Sequence, residues 1–247
     1  MRHAWLIARR DVRALFTSPL AWILGAVFAV LTGYFFYSDV TYFVLFGGAN
    51  YAKALWRFVF LDFRLITILV LPFLTMRLLT EERRRGTLEL LFTFPLRDGS
   101  IIAGKFFAAY ATYLLYLVAT LVGPALLYHQ HPFPIPPMLA GYVGMLLLGA
   151  AAIAVGLAAS ALTEHQGVSA MVTYGVLLLF WFLSWNESAL GQGIAPYILA
   201  LSLFDRFYGF TQGVIDSRDI IYFLTMTGLG LWTARWLLAS RAWRGIG

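Results

Sequence analysis

Cysteine is missing from all 247 residues. That excludes disulfides, thiol nucleophiles and thiolate-ligated metals. Charge is scarce too: Asp, Glu, Lys and Arg make up 12% of the chain, where soluble domains carry about 25%. A soluble fold this apolar could not cover its surface, so the composition points to an integral membrane protein. No nucleotide-binding G-x-x-x-x-G-K-[ST] occurs. Gly104-Lys105 lacks both the loop and a following Ser or Thr, so the chain has no usual cradle for phosphates. The histidines are His3, His129, His131 and His165. His129 and His131 flank Gln130, but no nearby acid or cysteine completes a metal site, and they read as ordinary loop residues. No credible Ser–His–Asp set is present. Spans three to five, placed below, have almost no ionisable residues in their interiors. This argues against a proton-coupled carrier or ion channel, and fits an apolar, amphipathic or large substrate moved by energy supplied from elsewhere.

What the chain has is hydrocarbon. Its mean hydropathy is +0.78. Aromatics make up 17%, with eight tryptophans, as expected of two interfacial belts. Runs of roughly 20 apolar residues cross a bilayer. Six are read, at about 20–37, 60–79, 101–128, 138–162, 168–185 and 220–239. The second is the weakest, flanked by Asp62, Arg64 and Arg77, and its internal Pro72 predicts a kink. The expected fold is an all-α membrane protein of six transmembrane helices, one domain over 1–247. The first span follows a basic arm and has no cleavage site, so it reads as a retained signal-anchor.

Six spans place both termini on one side. That side takes 13 of the 18 Lys and Arg, and the other takes Lys53, Arg57, Arg64, Arg206 and Arg218. The excess marks the cytoplasm. The net charge of +6 is therefore mostly topology, and nucleic acid is an unnecessary partner.

Residues 2–16 have helical spacing. Trp5, Ala8, Val12, Leu15 and Phe16 share one arc, and Arg2, Arg9, Arg10 and Arg13 the next, although Leu6 intrudes. This predicts an amphipathic helix on the inner membrane surface rather than a disordered basic tail. Residues 38–59 are too apolar for a plain loop, and 129–137 form a stiff proline-rich connection. Between spans five and six, "PYILALSLF" is apolar but too short to cross. An interfacial or re-entrant helix and an ordered surface loop both fit it, with a second short helix around 205–214. Ala150, Ala154 and Ala158, then Ala152, Gly156 and Ser160, put small residues at spacing four on span four, as do Gly230 and Ala234 on span six. Such stripes let backbones approach closely, within the bundle or between subunits.

One stretch, "LLTEERRRGTLELLFTFPLRDGS" at 78–100, concentrates polarity. Thr80 can cap a helix, with Glu81 and Glu82 in its first turn. Glu81–Arg85 and Arg85–Glu89 are spaced four apart. Gly86-Thr87 interrupts, Leu88, Leu91 and Phe92 line one face of a second helix, and Pro95 stops it. Such a cytoplasmic helix either lies on anionic lipid through Arg83–Arg85 or docks into a groove of a soluble partner. Its mixed Glu and Arg favour the partner.

"MRLLTEERRRGTLELLFTFPLRDGSIIAGKF" resembles the segment after the second span of type-2 ABC transporter permeases. Glu82, Arg85, Gly86, Thr87, Glu89, Leu90, Leu91, Pro95, Gly104 and Lys105 stand in the pattern's places. "FTSPLAWILGAVFAVLTGYFF" and "SLFDRFYGFTQGVIDSRDIIYFLTMT" are similar to the gliding-motility (GldF-like) branch. The resemblance implies six spans, an N-terminal interfacial helix, a coupling helix after span two and short external helices between spans five and six. It implies a bacterial plasma-membrane exporter subunit, working with a separate ABC ATPase and a second permease. No cofactor is bound by the chain itself; ATP and Mg sit in the partner. Coupling falls to Glu82, Arg85, Gly86, Thr87, Leu88, Glu89 and Leu91. The competing reading is a non-transporting scaffold that passes ATPase work to a motility or envelope machine, beside a subunit with a large periplasmic domain.

Overall fold

The computed structural model describes residues 2–46, 51–86, 98–131, 133–183 and 201–242. They form ten helices and no strand among the described residues. In chain order these are α1 (Arg2–Thr17), α2 (Pro19–Phe46), α3 (Tyr51–Thr75), α4 (Thr80–Arg84), α5 (Asp98–Thr120), α6 (Val122–Gln130), α7 (Ile135–Leu162), α8 (Gln166–Phe182), α9 (Leu203–Thr211) and α10 (Ser217–Ala242).

Among the described residues, four segments are long and apolar enough to cross a membrane: Pro19–Phe46, Leu55–Arg84, Gly99–Gln130 and Ile135–Leu162. Gln166–Phe182 is a shorter apolar helix. The sixth expected range, 220–239, lies within the 26-residue α10. The first two span helices, α2 and α3, run further than the apolar runs suggested. Residues 38–46 and 51–59, too apolar for a loop, extend α2 and α3.

The third expected span is broken, which the sequence reading missed. α5 stops at Thr120, Leu121 is a turn, and α6 starts at Val122. Pro124 explains it. Its missing N–H would have bonded the Thr120 carbonyl, and its ring crowds that carbonyl. Thr120 turns its hydroxyl to the Leu117 carbonyl at 2.7 Å, and Tyr142 lies 3.0 Å away.

α7 is the axis of the bundle. It packs against α3, α5, α8, α9 and α10, and its C-terminal half is almost wholly buried. The small-residue stripes act inside the chain. Ala152, Ala154, Gly156 and Ser160 are buried, and a Cβ on Gly230 would sit 2.8 Å from the Ala154 backbone. α10 and α7 can approach that closely only with glycine there. By contrast, α2 buries a single line of side chains that includes Ala21, Leu24, Phe28 and Thr32. Its remaining apolar surface, with Trp22, Ile23, Val27 and Val30, faces outward.

α1 packs along α5 and touches α2. Its buried line is Ile7, Ala8 and Asp11, while Trp5 and Leu6 are exposed. The helix is amphipathic as expected. Ile7 and Asp11, rather than Trp5, join Ala8 on the face turned to the bundle, because α5 supplies a partner for an acid.

Candidate functional site

After Pro72 and Thr75, α3 gives way to a turn at 76–79 and then to α4. Thr80 does not cap α4 as expected. The cap position is Leu79, with no side-chain cap bond, and the buried Thr80 hydroxyl donates to the Met76 carbonyl. With its own helix turn directly behind it, the hydroxyl finds a carbonyl four residues back. Glu81 and Glu82 do occupy the first turn. Arg85 closes the helix, and Gly86 follows at φ +66°, a left-handed backbone that glycine adopts without strain.

Glu82 turns inward. Its Oε1 takes Arg10 Nη2 at 2.8 Å, and its Oε2 lies 2.9 Å from Lys105 Nζ. Lys105 Nζ also reaches Asp11 Oδ2 at 3.3 Å, and Asp11 Oδ1 accepts from Arg10 Nε at 2.8 Å. Two cations and two carboxylates thus close a ring that joins α1, α4 and α5. Burial works against the Arg10 charge, yet Asp11 and Glu82 outweigh it and push its pKa up. Burying Lys105 would be costly if it were single; two carboxylates offset the lost hydration.

Arg83 leaves α4 on another side. Its Nη1 donates to the Ala161 carbonyl at 3.0 Å, and its Nε lies 3.4 Å from Glu164 Oε1. Ala161 lies in the last turn of α7, where carbonyls have no helical partner and a cation is favourable. α4 is therefore tied through Glu82 to α1 and α5, and through Arg83 to the end of α7. Arg84, Arg85 and Gly86 are exposed. Arg85 Nη2 donates to Glu81 Oε1 at 2.6 Å, the expected pair.

Of the expected coupling residues, Glu82 is thus built into the chain's own packing, while Arg85 and Gly86 face outward. Thr87, Leu88, Glu89 and Leu91 lie outside the described residues, as do Pro95 and most of "PYILALSLF". The contributions of Arg10, Asp11, Arg83 and Lys105 were not foreseen from sequence. Asp11 carried a signal: it is a lone acid at helical spacing from Ala8 and Leu15, on what becomes the packed face.

The other end of the bundle is built differently. α9 starts at Leu203, slightly earlier than expected, with Ser202 Oγ accepting from Asp205 N at 3.3 Å. Arg64 of α3 is buried beside α8 and α9. Its guanidinium carbon is 4.2 Å from the Trp181 ring centre, 4.3 Å from Phe204 and 5.5 Å from Phe207. Its Nε and Nη1 make no hydrogen bond. Arg206 Nη1 donates to Asp219 Oδ1 at 3.1 Å, joining α9 to α10. No group of three or more His, Asp or Glu able to hold a metal occurs among the described residues.

Residues 5–207 match the family model described as ABC-2 family transporter protein. The match runs from α1 into α9 and takes in both clusters. No curated protein matches the chain.

Proposed function

This chain belongs to the ABC-2 transporter family and is a multi-pass membrane protein; on that premise we propose that it is the permease subunit of an ATP-driven exporter. Six helices cross the bilayer: α2, α3, α5–α6, α7, α8 and α10. Both termini and α4 lie in the cytoplasm, on the arginine-rich side. A separate ABC ATPase holds ATP and Mg, and a second permease completes the path. Within the family, the segments at 16–36 and 202–227 support membership of the gliding-motility branch.

The observation that carries this reading is the fastening of α4. A push from a motor on residues 82–92 is delivered to a helix held by charge to α1, α5 and α7. The push need not be absorbed by a loose loop. It passes to the spans, where α2, α3 and α8 shift to open or close a route for an apolar, amphipathic or large substrate. Arg85 and Gly86, exposed at the tip, begin the surface that meets the ATPase, and Thr87, Leu88, Glu89 and Leu91 continue it.

The test is uncoupling. Gly86→Pro imposes a φ near −65° where the backbone needs +66°, and Glu89→Arg reverses a charge on the docking segment. With the ATPase co-purified in vesicles, both variants are expected to remain folded and to hydrolyse ATP without substrate export. Normal export by both would remove the coupling assignment. Hydrolysis that does work on an envelope assembly without any export would favour the scaffold reading.

A further inference from the structure

A cleft of about 740 Å³ opens between α1, the start of α2, the end of α3, α4 and α5. Ligand pockets span about 300–1,000 Å³. Its lining is amphipathic. Leu15, Leu20, Leu74 and Leu78 supply hydrocarbon. Arg10, Arg77, Arg85 and Lys105 supply four positive charges against the three negative charges of Asp11, Glu81 and Glu82, a net of one positive.

That excess charge can be located. Arg10 and Lys105 are neutralised by Asp11 and Glu82, and Arg85 by Glu81. Arg77 pairs with no carboxylate among the described residues. Its Nη1 donates to Ser18 Oγ at 3.2 Å, while its Nε is buried and makes no hydrogen bond. A buried donor on a cation is costly unless an acceptor comes to it. Ser18 Oγ accepts from Arg77 and, at 3.4 Å, from Leu20 N, so its own proton is available to donate. The cleft thus presents an unmatched guanidinium, a hydroxyl donor and four leucines.

We propose that this cleft binds an anionic phospholipid, with Arg77 and Ser18 holding the phosphodiester and the acyl chains leaving along Leu15, Leu20, Leu74 and Leu78. The leucines select a lipid over a free phosphate. The positive excess selects an anionic headgroup over one whose own cation would cancel it. The leaflet rests on the orientation proposed above, with α1 at the cytoplasmic surface; the site itself does not.

The experiment uses the purified, delipidated full-length permease with no ATPase present. It is titrated with phosphatidylglycerol or phosphatidylcholine, and bound lipid is counted by native mass spectrometry. The wild type is expected to prefer phosphatidylglycerol. Arg77→Gln should lose about fivefold in that affinity, the effect of one basic residue at a membrane surface. Arg77→Lys should keep most of it. Ala14→Trp, at an exposed position lining the cleft, should block binding with every charge in place, so it decides the matter if Arg77→Gln does not fold. Arg84→Gln, exposed and outside the cleft lining, should change nothing. Unchanged phosphatidylglycerol binding by Ala14→Trp and folded Arg77→Gln would overturn the proposal. So would an equal loss in Arg84→Gln, the mark of a diffuse basic surface. Displacement of the lipid by equimolar inorganic phosphate would reassign the site to a free anion. Because no motor is present, failure here leaves the exporter reading standing, and failure of coupling leaves the lipid site standing.

Discussion

Lys105 and Arg64 are both long cations, each 3% exposed, and the bundle holds them in opposite ways. Lys105 lies between two carboxylates, Asp11 and Glu82, which also share Arg10. Arg64 lies among Trp181, Phe204 and Phe207, with two of its nitrogens bonded to nothing. The first arrangement is a joint, since separating α1, α4 or α5 would strand a charge in a buried layer. The second is an adhesive contact. Ring quadrupoles and dispersion hold the guanidinium over a range of geometries, Asp205 of α9 and Asp62 of α3 attract it electrostatically, and α9 can part from α3 without breaking a hydrogen bond to Arg64 Nε or Nη1. A stiff joint suits the end proposed to receive force, and a separable contact suits the end proposed to cover the route out.

The contrast has measurable consequences. Lys105→Met removes the cation from between two acids and is expected to cost about 3–5 kcal/mol of stability, read as a lowered unfolding midpoint of the purified permease. Adding Glu82→Gln should restore part of the loss by removing one stranded charge. A cost for Lys105→Met below about 1 kcal/mol would mean the ring is not a joint. Arg64→Met keeps the volume between the rings and deletes the unbonded donors, so its expected cost is smaller, about 1–2 kcal/mol of cation–π attraction. If the same midpoint falls as far as in Lys105→Met, the two ends are alike and the comparison fails. Arg85→Gln breaks only the exposed pair with Glu81. It should move the midpoint by no more than about 0.5 kcal/mol, while Arg83→Gln, which frees the Ala161 carbonyl, should move it more.

Much of the helical layout was legible. Apolar runs located α2, α3, α7, α8 and α10, because a helix that buries or greases every face needs no partner to be recognised. Pro124 could have announced the break between α5 and α6, since a missing N–H acts on the carbonyl four residues back whatever surrounds it. The ends of α2 and α3 were set too short because Asp39, Lys53 and Arg57 interrupt the hydropathy without interrupting the backbone hydrogen bonds. Within the candidate site, the pair Glu81–Arg85 was visible because its spacing is local. Glu82 was expected at a partner's surface, and its pairing with Arg10 and Lys105, 72 and 23 residues away along the chain, was not visible.

The amino-acid order was enough to establish an all-helical chain too apolar for water, one polar segment between two hydrophobic runs, and a lopsided distribution of arginine. These are properties of periodicity, composition and near neighbours, and they hold before any helix meets another. Packing settled what order could not. It turned Asp11 and Glu82 toward the same lysine, set the small residues of α7 against α3 and α10 inside one chain, and left Arg77 without an acid among the described residues in a leucine-walled cleft. Each of these depends on which distant side chain fills the neighbouring space, and a buried charge takes its character from that neighbour rather than from its place in the sequence.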